Sequence, residues 1–227
     1  MIRRDEDIKK DVVDQLYWDS RVNAADIKVD VLNGRVTLSG SVPTLTARLN
    51  TLDDTWMISG VNNIIDRLEI IHPSGFIAPM DSEISENIEN ALHWNADIYS
   101  DDISVFVEGG VATLKGTVDA YWKKWKANDL ASSVKGVTSV INKLAIVSTG
   151  KRSDQEIAAD IENALERNPI VDSEDVIVKV ENGKVILTGI VPTWRDWTEA
   201  GNIARFTFGV VEVENNLKVG TPEPMAV

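Results

Sequence analysis

The side chains of this sequence that could carry out chemistry are mostly carboxylates. There are 36 aspartates and glutamates, some in adjacent pairs such as Asp53-Asp54 and Asp101-Asp102. A carboxylate pair can act as general acid and base when its surroundings push the two proton affinities apart. The plainer reading of both pairs is a solvated turn or helix face. His72 and His93 are the only histidines and there is no cysteine, which excludes disulfide and thiol chemistry and argues against a His/Cys zinc site. No nucleophile stands beside a base, and no glycine-rich loop has phosphate-binding spacing. We therefore expect a non-enzymatic protein with no catalytic residues, no cofactor and no metal site.

A second kind of candidate is a contact surface. The stretch YWKKWK, residues 121–126, sets Trp122 and Trp125 among Lys123, Lys124 and Lys126 in a chain of net charge −13. That overall charge repels DNA, RNA and anionic lipid at long range, so no nucleic-acid partner is expected. A related pair, Trp194 and Trp197, lies further along. Trp18 and Trp94 correspond to one another and to Arg167, and core edging is their plain reading.

Three copies of one pattern must position these residues. NGRVTLSGSV at 33, GGVATLKGTV at 109 and NGKVILTGIV at 182 recur at offsets of 76 and 73. The same offsets carry Ile8 to Ile84 and Ile157, Leu16 to Leu92 and Leu165, and Leu68 to Leu144 and Leu217. Each copy opens on an aspartate (Asp5, Asp81, Asp154) before an apolar series at helical spacing, and Ser153 with Glu156 reads as a capping box. Alternating strands follow, joined by Asn33-Gly34, Gly109-Gly110 or Asn182-Gly183, pairs suited to a two-residue type I′ turn. A second helix and a last strand complete the copy. Gly60, Gly136 and Gly209 read as C′ glycines ending that second helix. The expected fold is α+β: three tandem α-β-β-α-β units, each with two helices on one face of a three-stranded mixed sheet. A right-handed crossover from strand two to strand three is expected, with strand three beside strand one in the order 2-1-3.

The expected domains are 1–71, 81–147 and 153–219, with linkers at 72–80 and 148–152 and a flexible tail at 220–227. A unit of about 67 residues is marginal alone, so the three are expected to lean on one another. The N-terminus has no apolar stretch of the signal-peptide kind and no apolar run is long enough to span a bilayer. A soluble, cytoplasmic protein is expected, or a periplasmic one if a signal peptide has been removed.

The GxVxLxGxV hairpins at 34–42, 110–118 (with Ala112 for Val) and 183–191, and the GVxxVxNxL endings at 136–144 and 209–217, closely resemble the BON domain, named for bacterial osmotically induced and nodulation proteins. The first unit, GVNNIIDRL, keeps part of that ending. The resemblance covers most of the chain. It implies a non-enzymatic binding or scaffold module of osmotic or envelope stress that contacts phospholipid membrane surfaces or envelope components. It also implies an alternative, a small-cation sensor of the potassium type, because one relative pairing BON with a LysM domain binds potassium. The family has no catalytic motif to carry over.

On the second helix of unit two, Ala127, Leu130, Ala131 and Val134 set the buried face. With successive residues about 100° apart, Trp122 and Trp125 point nearly opposite it and Lys123 and Lys126 flank them. Trp194 and Trp197 lie nearer the core boundary. Three readings stand for this candidate patch: cover by a neighbouring unit or by linker residues such as Phe76 and Ile77, a homo-oligomer interface, or contact with a membrane surface.

Overall fold

The computed structural model describes residues 3–147, 150 and 152–220; of the tail expected at 220–227, residues 221–227 lie outside the described residues. Gly220 still donates its N–H to Val191 O, 3.0 Å.

All three copies follow the expected order. The first runs α1 (Asp5–Trp18), β1 (Ile27–Leu32), β2 (Arg35–Val42), α2 (Leu45–Trp56) and β3 (Asn63–Ile70). The second runs α3 (Asp81–His93), β4 (Ile103–Glu108), β5 (Val111–Val118), α4 (Tyr121–Ser132) and β6 (Ser139–Ile146). The third runs α5 (Asp154–Arg167), β7 (Val176–Glu181), β8 (Lys184–Val191), α6 (Trp194–Phe206) and β9 (Glu212–Val219). A short 3-10 turn precedes β1, β4 and β7.

The hairpin turns form where the sequence places them. Both central residues have positive φ in each: Asn33 and Gly34, Gly109 and Gly110, Asn182 and Gly183. The helix-one aspartate fastens the turn. Asp5 accepts the N–H groups of Asn33 and Gly34 at 2.7 and 2.9 Å. Asp81 does the same for Gly109 and Gly110 at 2.8 and 3.0 Å, and Asp154 for Asn182 and Gly183, both at 2.8 Å. A carboxylate taking two backbone donors makes strong, charge-assisted bonds. Helix one is thereby tied to its own hairpin.

The strand order differs from the expected 2-1-3. In every copy the second strand is central, paired antiparallel with the first and parallel with the third, giving the mixed sheet in order 1-2-3. Strand length explains the choice. The first strand has six residues, while the second and third have eight and pair along their whole length. Placing the short strand in the centre would leave the ends of both long strands unpaired. The central strand also supplies the most buried sheet residues: Val36, Leu38, Leu114, Val185 and Leu187 are all 0% exposed.

Gly60, Gly136 and Gly209 have φ of +93°, +95° and +90°. They are not C′ residues. The caps of the second helices are Met57, Ser133 and Thr207, and the glycines come two or three residues later, in the turn to the last strand. A Cβ there would meet the side chain of Ile8, Ile84 or Ile157 within 3.1 Å. The glycine makes room for the first core residue of helix one.

The chain divides into two compact units, residues 1–147 and 148–227. In the first, Leu45 of α2 is buried in the core cluster of the second copy, and Ile70 packs on the clusters of both copies. Thr46 Oγ1 donates to Ser132 O at 3.3 Å. The connecting segment is anchored to both: His72 Nδ1 lies 2.9 Å from Pro43 O, His72 stacks on Phe76 with centroids 3.9 Å apart, and Lys135 Nζ stands 5.0 Å from the Phe76 ring. In the second unit, Ile157, Ile161 and Leu165 of α5, Val185 and Leu187 of β8, and Ala200 and Ala204 of α6 are all buried, and Ser153 and Glu156 form the expected capping box.

Candidate contact surfaces

α4 starts at Tyr121, so Trp122 and Trp125 do lie on its first turns. Ala127 and Ala131 are fully buried, Trp122 is half-buried and Trp125 is 44% exposed. Lys123 Nζ is 5.6 Å from the Trp122 ring centroid, within cation–π reach, and 2.9 Å from Asp119. Lys126 stands 4.0 Å from Asp129. The lysines are thus partly matched by their own helix and its approach, and such surface pairs are weak. Phe76, a suggested cover, makes its ring contacts with His72 and Lys135, and Ile77 is 83% exposed.

Trp194 and Trp197 stack on α6, 4.0 Å apart and 10° from parallel. Trp197 Nε1 donates to Leu217 O at 3.1 Å, and Asn215 Nδ2 donates to Trp197 O at 2.9 Å. Trp197 is therefore built into its own copy, pinned between α6 and β9. The six candidate residues fall into two groups, four on α4 in the first compact unit and two on α6 in the second.

The expectation of core edging for Trp18 and Trp94 is wrong. They are 80% and 82% exposed. Leu16 and Leu92 end the buried series of α1 and α3. Two residues further on, a side chain has turned about 200° around the helix, away from the core. Each indole has an edge-to-face neighbour: Tyr17 at 5.6 Å from Trp18, and His93 at 5.9 Å from Trp94. The corresponding Arg167 is also exposed.

Of the acid pairs, Asp101, Asp102 and Asp53 face solvent as expected, and Asp54 does not. Asp54 is 2% exposed, and its Oδ2 has no hydrogen-bond partner among the described residues. Gln15 Nε2 reaches its Oδ1 at 3.3 Å and Arg21 Nη2 lies 3.8 Å away. The offsets of 76 and 149 place Asp54 against Leu130 and Ile203, so the signal was present in the repeat register. Burial, and then the neighbouring Asp19 carboxyl, push Asp54 up to about 6; Gln15 and Arg21 pull the other way. Arg21 holds Asp19 well below the ordinary carboxylate range.

A groove of about 360 Å³ beside α3 is lined by Glu89, His93, Ser100 and Asp101 among others. Ser100 Oγ and His93 Nδ1 are 3.5 Å apart, at the outer limit of a hydrogen bond. Among the described residues no three His, Asp or Glu side chains converge on a point that could hold a metal ion. No helix among them is long and apolar enough to cross a membrane.

A family model, the BON domain, matches this chain at residues 4–71, 80–148 and 153–221. The chain belongs to the BON-domain family. It is 34% identical over 144 residues to osmotically-inducible protein Y of Escherichia coli K12, a match spanning 61% of this chain and 72% of that protein. An uncharacterized protein in the gshII 5' region of Anaplasma centrale is 28% identical over 120 residues, 52% of this chain and 80% of that one. Among solved structures, CdsD, a structural protein of the Type III secretion system of Chlamydia trachomatis, aligns over 93% of this chain and 90% of its own at 16% identity, with a TM-score of 0.25. Its C-terminal domain aligns over 97% of this chain and all of its own with a TM-score of 0.26.

The recurrent residues of each BON domain are occupied in holding the fold. The motif glycines Gly40, Gly116 and Gly189 have positive φ, and a Cβ on any of them would come within 2.0 Å of the carbonyl oxygen of Asp26, Asp102 or Asp175. The motif asparagines Asn142 and Asn215 donate to the helix carbonyls of Lys124 and Trp197 and accept the N–H of Leu144 and Leu217. The first domain has Asp66 at that position and pairs it with Arg48 at 2.7 Å. The outer face differs between the domains: Trp18 and Trp94 stand against Arg167, and Trp122 and Trp125 against Thr46 and Leu49 or Arg195 and Thr198.

Proposed function

We propose that this chain is a non-enzymatic binding module of the osmotic or envelope stress response, and that it contacts phospholipid surfaces through exposed tryptophans. The carrying observation is the pair Trp18 and Trp94, 80% and 82% exposed at equivalent helix ends of the first two BON domains. Large exposed aromatic groups mark contacts, and indoles suit the headgroup region, with one polar edge and an apolar body. Trp125, at 44%, adds a third such side chain beside Lys123 and Lys126. Kinship with osmotically-inducible protein Y supports the stress assignment. The net charge of −13 sets the lipid preference, because it opposes approach to anionic bilayers. The favoured surface is zwitterionic.

Vesicle flotation of the full chain tests this. Phosphatidylcholine vesicles should carry the protein to the top of the gradient, and added phosphatidylglycerol at low salt should weaken that. Changing Trp18 and Trp94 together to Ser should abolish flotation with little change in stability. The double change Trp122→Ser and Trp125→Ser separates a second contact from a structural role: a contact loses flotation alone, while burial of both rings would cost about 3–5 kcal/mol. Flotation of neither vesicle type, or flotation untouched by both double variants, would refute the proposal.

A further inference from the structure

Asp54 is a carboxyl where its sister domains have Leu130 and Ile203. Three other positions change with it. Gln15, Asp19 and Arg21 of the first domain stand where the others have Ala91 and Ala164, Asn95 and Asn168, and Asp97 and Ile170. The substitutions meet in space at the contact of α1 with α2. Gln15 Nε2 donates to Asp54 Oδ1 at 3.3 Å, and Arg21 Nη2 lies 2.5 Å from Asp19 Oδ2 and 3.8 Å from Asp54 Oδ1. Arg21 is 62% exposed at its side chain while Asp54 is 2% exposed. The arginine is therefore held first by Asp19 and makes only a second, weaker ion pair with Asp54. Asp54 Oδ2, buried, has no partner among the described residues.

An ionised carboxylate buried with one oxygen unsatisfied is costly, and a proton on that oxygen removes most of the cost. The charged groups around it are Asp19 and Arg21 from the segment after α1 and the exposed Asp53 from α2 itself. From β3, which packs on the same helix, Asp66 is already paired with Arg48. Arg21, the one cation of this set that faces Asp54, is shared with the nearer Asp19 and leaves Oδ2 unsatisfied, so the proton is the ligand the site takes.

We infer that Asp54, with Asp19 beside it, is a proton-binding site that fastens α1 to α2 of the first BON domain in mild acid and loosens that contact toward neutral pH. The direction follows from linkage. An unfolded aspartate titrates near 4, and the folded Asp54 is pushed up to about 6. Between those values the folded domain holds a proton the unfolded chain has lost, so stability falls as pH rises through that window and levels off above it. Asp19 acts oppositely, but only below about 4. The site does not depend on the proposed lipid contact.

Hydrogen exchange on the full chain, corrected for the intrinsic pH dependence, reads the effect locally. The opening constant of α2 should rise about tenfold between pH 5 and pH 7.5. Those of α4 and α6, which carry Leu130 and Ile203, serve as internal controls and should change less. Asp54→Leu should remove the excess, and Asp54→Asn should remove the titration while keeping the polar shape. Carbon NMR should give the Asp54 carboxyl a midpoint near 6. A midpoint below about 4.5, or the same pH response in α2, α4 and α6, would overturn the inference.

Discussion

Gly116 and Gly136 are both positive-φ glycines of the second BON domain, and their surroundings predict different tolerances. A Cβ on Gly116 would lie 1.9 Å from Asp102 O, a backbone atom in the turn immediately before β4, whose first residue Ile103 pairs with Gly116 itself. A Cβ on Gly136 would meet Ile84 Cδ1 at 2.8 Å and Pro79 Cδ at 3.1 Å, side-chain atoms with some freedom to move. Gly136→Ala should cost about 1 kcal/mol, the conformational penalty with a small adjustment. Gly116→Ala adds displacement of a strand and should cost more than about 3 kcal/mol. Urea titrations followed by exchange of the β4–β6 amides measure both; equal midpoints for the two variants would show that the backbone contact is not what the glycine serves. The need for glycine at these positions is legible in the repeat. The reason for Gly136 is not, because the Ile84 side chain that fills its space is 52 residues away in sequence and only the packed fold brings them together. Asp54 shows the opposite case. Read locally, Asp53-Asp54 is a polar helix face, and only the register with Leu130 and Ile203 exposes it as a core position.

The elements themselves were legible because their signals are local. Alternation around Asn-Gly or Gly-Gly sets each hairpin, and the Ile157, Ile161, Leu165 series sets α5. Strand order is not local. It depends on matching the eight residues of β2 to the eight of β3, which periodicity does not reveal. The ties between elements were likewise unread, although their residues stood in plain view as a helix-opening aspartate and a motif asparagine. These ties predict ranked losses. Asp81→Ala leaves the N–H groups of Gly109 and Gly110 without their carboxylate and should cost about 2–3 kcal/mol. Asn142→Ala gives up the bonds to Lys124 O and Leu144 N–H and should cost about 1–2 kcal/mol. Thermal unfolding of the two variants would test the ranking, and a neutral Asp81→Ala would show that the turn residues alone hold the hairpin.

At the scale of the molecule, one sequence position has three uses. Leu45, Tyr121 and Trp194 correspond in the repeat register and open the second helix of each BON domain. Tyr121 and Trp194 are half-buried, and Trp194 stacks on Trp197 within its own domain. Leu45 is 8% exposed and belongs to the core cluster of the following domain, with Ala127, Ala131 and Leu144. A 67-residue domain has little core to spare, so a leucine lent across the boundary makes the stability of the second domain depend on the first. Thr46, bonded to Ser132 O beside it, fixes the approach of the two helices. Leu45→Ala should therefore cost about 2–4 kcal/mol, the usual range for a buried leucine, and the loss should appear in a domain the residue does not belong to. Hydrogen exchange on the full chain should show lower protection in α4 and β5 as well as in α2. Thr46→Val, which removes the hydrogen bond and keeps the volume, should weaken the same amides by less. If Leu45→Ala loosened α2 alone and left α4 and β5 at wild-type protection, the two domains would be neighbours without a shared core, and the single compact unit of residues 1–147 would owe its cohesion to the His72–Phe76 segment.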